Sequence, residues 1–223
     1  MTAVSTRAPR SRQAGFTLIE VLIATTISAT IMGSIVLVTS QLSRSYYSQL
    51  DGAAVQQEGR FALDWVISTL LTAGNNPQLL TTSPCPTAAT PFRAIQRNPN
   101  AAAAQNNIRI HSDMNGNGAL GGLSTGTGTC IEPDEDITIA LAANTITKKD
   151  NNTGQAAAAL DMTDTVITGL TFEYFDCSRT ATTNDSAVCF IRVTVTSQTP
   201  TINISNGLRT TYTNTAEVRL RAR

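Results

Sequence analysis

One carboxylate stands at the start of a long uncharged stretch, and it is the residue of this sequence best placed to do chemistry. Glu20 is followed by Val21–Ser43, 23 residues without a charge, and the next charged residue is Arg44. A carboxylate at mid-bilayer costs about 2.5–3.5 kcal/mol on insertion scales, so such a group usually has a function. A nearby cation offsets this cost, because opposite charges in low-dielectric surroundings compensate each other's desolvation. We therefore expect Glu20 to pair with a positive group.

The uncharged stretch has the length of a membrane-spanning helix. At a rise of about 1.5 Å per residue, Val21–Ser43 crosses a hydrocarbon core about 30 Å thick. Arg7, Arg10 and Arg12 precede it without any acidic residue, which predicts that the leader stays in the cytoplasm and that the rest crosses. The stretch is too long for the apolar core of a secretory signal peptide. It is therefore predicted to act as a lasting anchor.

The residues around Glu20 belong to a longer motif. Residues 15–20 read GFTLIE, follow a basic leader and precede the apolar stretch. This pattern resembles the class III signal of type IV prepilins and of type II secretion pseudopilins. The resemblance implies that a prepilin peptidase cleaves between Gly15 and Phe16 and that the new Phe16 amine is N-methylated. It also supplies the positive group, because in such filaments this carboxylate meets the methylated amine of a neighbouring subunit.

The resemblance further implies where the protein resides and what it contacts. The precursor would span the inner membrane once, with its head in the periplasm and its helix in membrane lipid, and would later join the pilus at the cell surface. Its partners would be the prepilin peptidase, the inner-membrane pilus assembly platform, and other minor and major pilins. Subunits would associate helix against helix, where Ala24, Ala29 and Gly33 permit close approach.

The spacing of apolar residues predicts one helix over about Phe16–Ala73. An apolar stripe that recurs every three or four positions is typical of a helix packing on a globular head. Gly52 and Gly59 are expected to weaken this helix by about 1 kcal/mol each relative to Ala. Gly74 and Pro77 are expected to end it. The stripe consists of Leu42, Tyr46, Leu50, Ala53, Gln57 and Phe61, followed by Leu63, Val66, Ile67, Leu70 and Leu71.

The rest of the chain is predicted to form strands. Four or five antiparallel strands on one long helix give an α+β pilin fold, in which the sheet buries the second half of the helix. The domains are then residues 1–15, a cleaved leader; 16–42, the transmembrane and assembly half of the helix; 43–73, its amphipathic half; and 74–223, a disulfide-containing antiparallel β head. The candidate segments for these strands are Ile108–His111, which is short, Ile137–Ala142, Thr145–Lys148, Val166–Phe175, Phe190–Thr196 and Thr211–Arg221.

Four cysteines predict disulfide bonds if the head lies in an oxidising compartment. Cys85, Cys130, Cys177 and Cys189 do not have the spacing of a zinc site. Three pairings are open. Cys177–Cys189 is favoured because it would close the loop between two predicted neighbouring strands, and this choice leaves Cys85–Cys130.

Segments beyond the signal indicate which group of pilins the chain resembles. They resemble PilW-type minor pilins, and this resemblance implies incorporation into a type IV pilus, in an assembly-priming or tip complex. Minor pseudopilins of the J class share much of this layout and stay as an alternative. A third hypothesis is an adhesin or ligand-binding module displayed on a filament. The segments that carry the resemblance are QQEGRFAL at 56–63, SDMNGNG at 112–118, DEDIT at 134–138 and GLTFEY at 169–174.

A short acidic and amide-rich segment resembles part of a calcium loop. Asp113, Asn115 and Asn117 match the first half of an EF-hand loop, but Ser124 occupies the position of the bidentate Glu. Two interpretations stay open. Calcium would need a further acidic residue from outside the segment, and the alternative is a turn rich in Asn and Gly. No other metal and no cofactor is predicted.

Composition and motifs predict neither an enzyme nor a nucleic-acid binder. Gly122–Gly126 matches G-x-S-x-G, but the sole histidine, His111, precedes Ser124, and no strand and helix are predicted around it. The net charge is zero and charged residues make up 14%, against about 25% in ordinary domains. Such a chain lacks the basic face that phosphate recognition needs. The predicted chemistry is therefore done to this protein, at the Gly15–Phe16 bond.

Overall fold

The computed structural model describes a single long helix followed by antiparallel strands. It covers residues 15–79, 82–83, 90–97, 104–116, 134–151, 158–159, 166–202 and 207–220. The helix α1 runs over Leu18–Leu70. The strands are β1 (Thr82–Ser83), β2 (Thr90–Pro91), β3 (Ile95–Gln96), β4 (Ala104–Gln105), β5 (Asn107–His111), β6 (Asp136–Ala142), β7 (Thr145–Asp150), β8 (Ala158–Ala159), β9 (Ile167–Phe175), β10 (Phe190–Ile202) and β11 (Arg209–Arg219). This order confirms the α+β pilin fold class.

The end of α1 is continued by a turn that is bonded to the head. The helix ends at Leu70, three residues before the predicted Ala73, and a turn covers residues 71–74. Gly74 has a φ of 78°, the left-handed conformation expected of a glycine at this place. Its N–H donates to the carbonyl oxygen of His111 at 2.9 Å, so the turn after the helix is fixed to the end of β5.

The chain divides into two compact units, with the boundary between Tyr47 and Ser48. In the first unit, the large apolar side chains of α1 from Leu18 to Leu42 are exposed. In the second unit, one apolar core contains residues from α1 and from both larger sheets. Its largest buried side chains include Phe172, Tyr174, Leu70, Ile108, Ile139 and Ile191.

The strands form two larger sheets where the sequence predicted one. A four-stranded sheet has the order β11-β10-β9-β4, and a five-stranded sheet has the order β3-β5-β6-β7-β8; β1 and β2 pair separately. In the five-stranded sheet, β6 and β7 are consecutive strands joined by the two-residue turn Ala143–Asn144. Both turn residues have positive φ, 48° and 63°, as tight hairpins with the twist of paired strands require.

Only the second part of the predicted apolar stripe is buried against the head. Leu63, Val66 and Leu70 of that stripe are buried, as predicted. In its first part, Leu42, Tyr46, Leu50, Ala53 and Gln57 are exposed, and the buried positions there are Gly52, Val55 and Gly59. The prediction was wrong over this first part because it gave weight to large side chains, whereas the helix buries two glycines and a valine there.

Gly59 is a point of close approach between α1 and the four-stranded sheet. A Cβ atom placed on Gly59 would lie 2.7 Å from Ser197 Oγ and 2.9 Å from Asn214 Nδ2. Ser197 is fully buried, and its hydroxyl donates to the carbonyl oxygen of Val55 at 3.3 Å. The two glycines are therefore packing positions, although each was expected only to weaken the helix.

The two glycines should respond differently to alanine. Gly59→Ala should lower the free energy of unfolding, since overpacking costs about 1–3 kcal/mol and the gain in helix propensity returns only about 1 kcal/mol. Gly52→Ala is the matched control. Its Cβ would meet the Tyr212 hydroxyl at 2.7 Å, the far end of a half-buried side chain that can move. Gly52→Ala should therefore be neutral or stabilising.

The measurement is denaturant unfolding of the full-length chain in detergent micelles, followed by the fluorescence of Trp65. This half-buried residue is the only tryptophan of the protein and lies on α1 in the second unit. Equal stability of the two alanine variants would contradict the close approach at Gly59.

Candidate functional site

The start of α1 is set by a threonine cap that places Glu20 in the first turn. Thr17 precedes the helix, and its Oγ1 accepts the N–H of Glu20 at 3.3 Å. Threonine is a favoured residue at this position because its oxygen satisfies an N–H that has no partner within the helix. A carboxylate in the first turn is also favourable toward the positive end of the helix dipole. Thr17 is a positioning residue that the sequence analysis did not single out.

The predicted cleavage site and Glu20 lie on the same side of the helix. Phe16, Glu20 and Ala24 are spaced by four residues, and Ser28 continues the row. Together with Val21 and Thr25 they line one shallow concave surface. Phe16 is 82% exposed. A terminal amine created at Phe16 would thus lie at one end of this concave surface, and Glu20 would lie about one helical turn further along it.

The predicted helix-packing residues are spread over two sides of α1. Ala24 lies on the concave surface beside Glu20. Gly33 follows it by nine residues, which is about half a turn away at 3.6 residues per turn, and Ala29 lies closer to that second side. A Cβ atom on Gly33 would meet nothing within 4 Å. The small residues would therefore let the helices of neighbouring subunits approach α1 closely from more than one side.

Five of the eight hydroxyl groups in the apolar stretch Val21–Ser43 are satisfied within the helix. Each of these five donates to a backbone carbonyl three or four residues earlier, at 2.8–3.0 Å. Such bonds let Ser and Thr sit in hydrocarbon without an unpaired donor. The residues are Thr25, Thr26, Thr30, Ser34 and Ser40. By length and composition, α1 can cross a membrane, and none of its most apolar window is buried in the protein.

In the head, the segment that resembles a calcium loop is held by one carboxylate of its own, Asp113, and by one that precedes β6, Glu135. Asp113 is fully buried, and its Oδ1 accepts the N–H of Gly116 at 2.6 Å. Glu135, also buried, accepts the N–H of Met114 at 2.9 Å. These bonds are those of a tight turn. Asn117 and Ser124 lie outside the described residues, and within the described ones no group of three His, Cys, Asp or Glu side chains forms a metal site.

A disulfide-closed loop of the four-stranded sheet forms an ion pair with the residue that follows β3 of the five-stranded sheet. Cys177 and Cys189 form the predicted bond between β9 and β10, while Cys85 and Cys130 lie outside the described residues. Within this loop, Asp185 forms an ion pair with the buried Arg97, which follows β3. The Arg97 guanidinium also lies 5.0 Å from the ring centre of Tyr174. The Arg97–Asp185 pair was missed, because no local pattern links residues 88 positions apart.

His111 has a structural place at the end of β5. Its Nδ1 donates to the carbonyl oxygen of Arg93 at 2.9 Å, and its Nε2 lies 3.5 Å from Asp136. Burial lowers the pKa of His111 below its ordinary value, although the charge of Asp136 opposes this effect. These neighbours place the histidine within the framework of the head.

Calcium and the turn interpretation predict different responses of the head. Asp113→Ala should lower the free energy of unfolding by about 1–3 kcal/mol, because the Gly116 N–H loses its buried acceptor. We expect the same loss in calcium chloride and in EDTA, measured by thermal unfolding. A wild-type melting temperature that rises with calcium, and no longer rises in Asp113→Ala, would instead support a calcium site.

Comparison with known proteins identifies the N-terminal segment. The family model described as the prokaryotic N-terminal methylation motif matches residues 10–36, which include Gly15, Phe16 and Glu20. Searches of the curated proteins and of the solved structures found no match. The motif and the long apolar helix that carries it support a type IV pilin-like protein whose N-terminal helix has the length and composition of a membrane anchor.

Proposed function

We propose that this protein is a minor type IV pilin of the PilW kind. It is made as a precursor in the inner membrane, with its head in the periplasm, and a prepilin peptidase cleaves it between Gly15 and Phe16. The new Phe16 amine is methylated, and the mature subunit enters the pilus with other minor and major pilins, in a priming or tip complex. Its role is structural rather than catalytic.

The observation that carries this proposal is the row formed by Phe16, Glu20 and Ala24. The row is exposed, lies at the start of an apolar helix and falls inside the matched methylation motif. A carboxylate in such surroundings needs a cation, and cleavage at Gly15 would create one on each subunit. Pairing Glu20 with the amine of a neighbour would offset the desolvation of both groups. Assembly would then exchange lipid for protein along α1.

A minor pseudopilin of a type II secretion system, of the J class, would use the same N-terminal site. The two machines are distinguished by what the mature protein co-purifies with, pilus subunits or secretion components. The adhesin hypothesis concerns the polar loops of the head, and much of this region lies outside the described residues. A glycan-binding assay on the purified protein tests it separately.

Removing the charge of Glu20 should block assembly while leaving insertion intact. Glu20→Gln keeps the size of the side chain, and losing one partner of a buried ion pair costs about 3–5 kcal/mol. The variant should fractionate with membranes at the wild-type level and be depleted from sheared filaments, as measured by immunoblotting. Glu20→Asp is the charge-retaining control and should recover part of the incorporation.

Incorporation of Glu20→Gln at the wild-type level would contradict the assigned role of Glu20. Loss of the variant from membranes would show instead that the substitution acts before assembly.

A further inference from the structure

One arginine and two tyrosines stand where the uncharged part of α1 ends. Arg44 is the first charged residue after Glu20, and Tyr46 and Tyr47 follow it closely. Their side chains are 60% and 66% exposed, and the two rings pack edge to face with centres 6.0 Å apart. In the described part of the chain, Arg44 forms no ion pair. The cluster thus offers one cation and two phenol hydroxyls to its surroundings.

The distance from Glu20 places this cluster at the far side of a bilayer. The 24 positions from Glu20 to Arg44 correspond to about 36 Å along a helix. The hydrocarbon core is about 30 Å thick, and the bilayer with its headgroups about 40–45 Å. With Glu20 at the cytoplasmic boundary, Arg44 reaches the opposite edge of the hydrocarbon. Tyr46 and Tyr47 then lie at the level of the headgroups.

The surroundings of the cluster favour lipid over a protein partner. At 3.6 residues per turn, Tyr46 and Tyr47 lie about 100° apart and Arg44 lies about 60° from Tyr47, so the three side chains share somewhat less than half of the helix circumference. The apolar side chains that precede the cluster, from Leu18 to Leu42, are exposed on all sides of the helix, as suits a segment surrounded by lipid. Tyrosine rings and arginine stems, apolar with a polar end, are the side chains suited to this boundary.

We propose that Arg44, Tyr46 and Tyr47 bind phospholipid headgroups of the periplasmic leaflet and fix the depth of α1. The guanidinium group of Arg44 pairs with a lipid phosphate, and the two phenol hydroxyls donate to phosphate or ester oxygens. Fixing this end of the helix also holds Glu20 at the opposite boundary. The proposal rests on the membrane-anchored stage of the proposed function and adds the residues that set its position.

The test measures the depth of single tryptophans in the full-length protein. Trp65→Phe removes the only tryptophan, and Tyr47→Trp or Ile31→Trp then adds one in the cluster or in the middle of the apolar stretch. The proteins are reconstituted in phosphatidylethanolamine–phosphatidylglycerol vesicles that contain phosphatidylcholine brominated near the headgroup or deep in the chains. We expect the tryptophan at 47 to be quenched more by the shallow bromines, and that at 31 more by the deep ones.

The quenching results distinguish the proposed headgroup site from the membrane anchor on which it rests. If the tryptophan at 31 is quenched by deep bromines while that at 47 responds only to aqueous iodide, the headgroup site is overturned and the anchor stands. If neither is quenched by lipid, the anchor itself fails.

A separate variant tests whether Arg44, Tyr46 and Tyr47 fix the depth of α1 in the bilayer. Arg44→Gln/Tyr46→Ala/Tyr47→Ala, combined with Ile31→Trp, should lower the ratio of deep to shallow quenching. Leu37→Ala/Val38→Ala is the control within the apolar stretch and should leave the ratio unchanged. An unchanged ratio in the triple variant would overturn the role in fixing depth.

Discussion

The head depends on the close contact between α1 and the four-stranded sheet at Gly59. The absence of a side chain there lets the buried Ser197 hydroxyl reach the helix backbone at Val55. Once helix and sheet are this close, Val66 and Leu70 can enter the core made by both sheets. With bulky residues at this point, α1 would lie further from the four-stranded sheet. The space between helix and sheet would then exceed what the side chains of the core can fill. The glycine thus sets the geometry around which the apolar residues pack.

The same helix meets two different surroundings along its length. In its first part, apolar side chains are exposed and hydroxyl groups bond back to the helix, which suits lipid or neighbouring helices. In its second part, small and apolar residues are buried against sheets of the same chain. The low share of charged residues follows in part from the uncharged stretch after Glu20 and in part from uncharged polar segments of the head, such as residues 114–131. Glu20 itself lies in the first turn of α1.

Sequence reasoning was most successful where a feature is local. The signal around Gly15–Glu20, the strands of alternating pattern and the Cys177–Cys189 bond each depend on residues close together or on neighbouring strands, and the fold class followed from them. The division into two sheets did not follow, and neither did the first part of the buried face of α1. Both depend on which surfaces come together across the fold, as at Gly59 and Ser197, and a search for large apolar residues missed the two glycines of that face. The Arg97–Asp185 pair likewise arises only once the disulfide-closed loop lies against β3.

The proposed function requires that Gly15–Phe16 is a cleavage site and that the helix begins the mature protein. Intact-mass measurement and N-terminal sequencing of the protein, purified from the membranes of cells that hold a prepilin peptidase, test this requirement. We expect a chain that starts at Phe16 and carries one methyl group on its amine. A chain that keeps residues 1–15, or one cut after the apolar stretch, would contradict it.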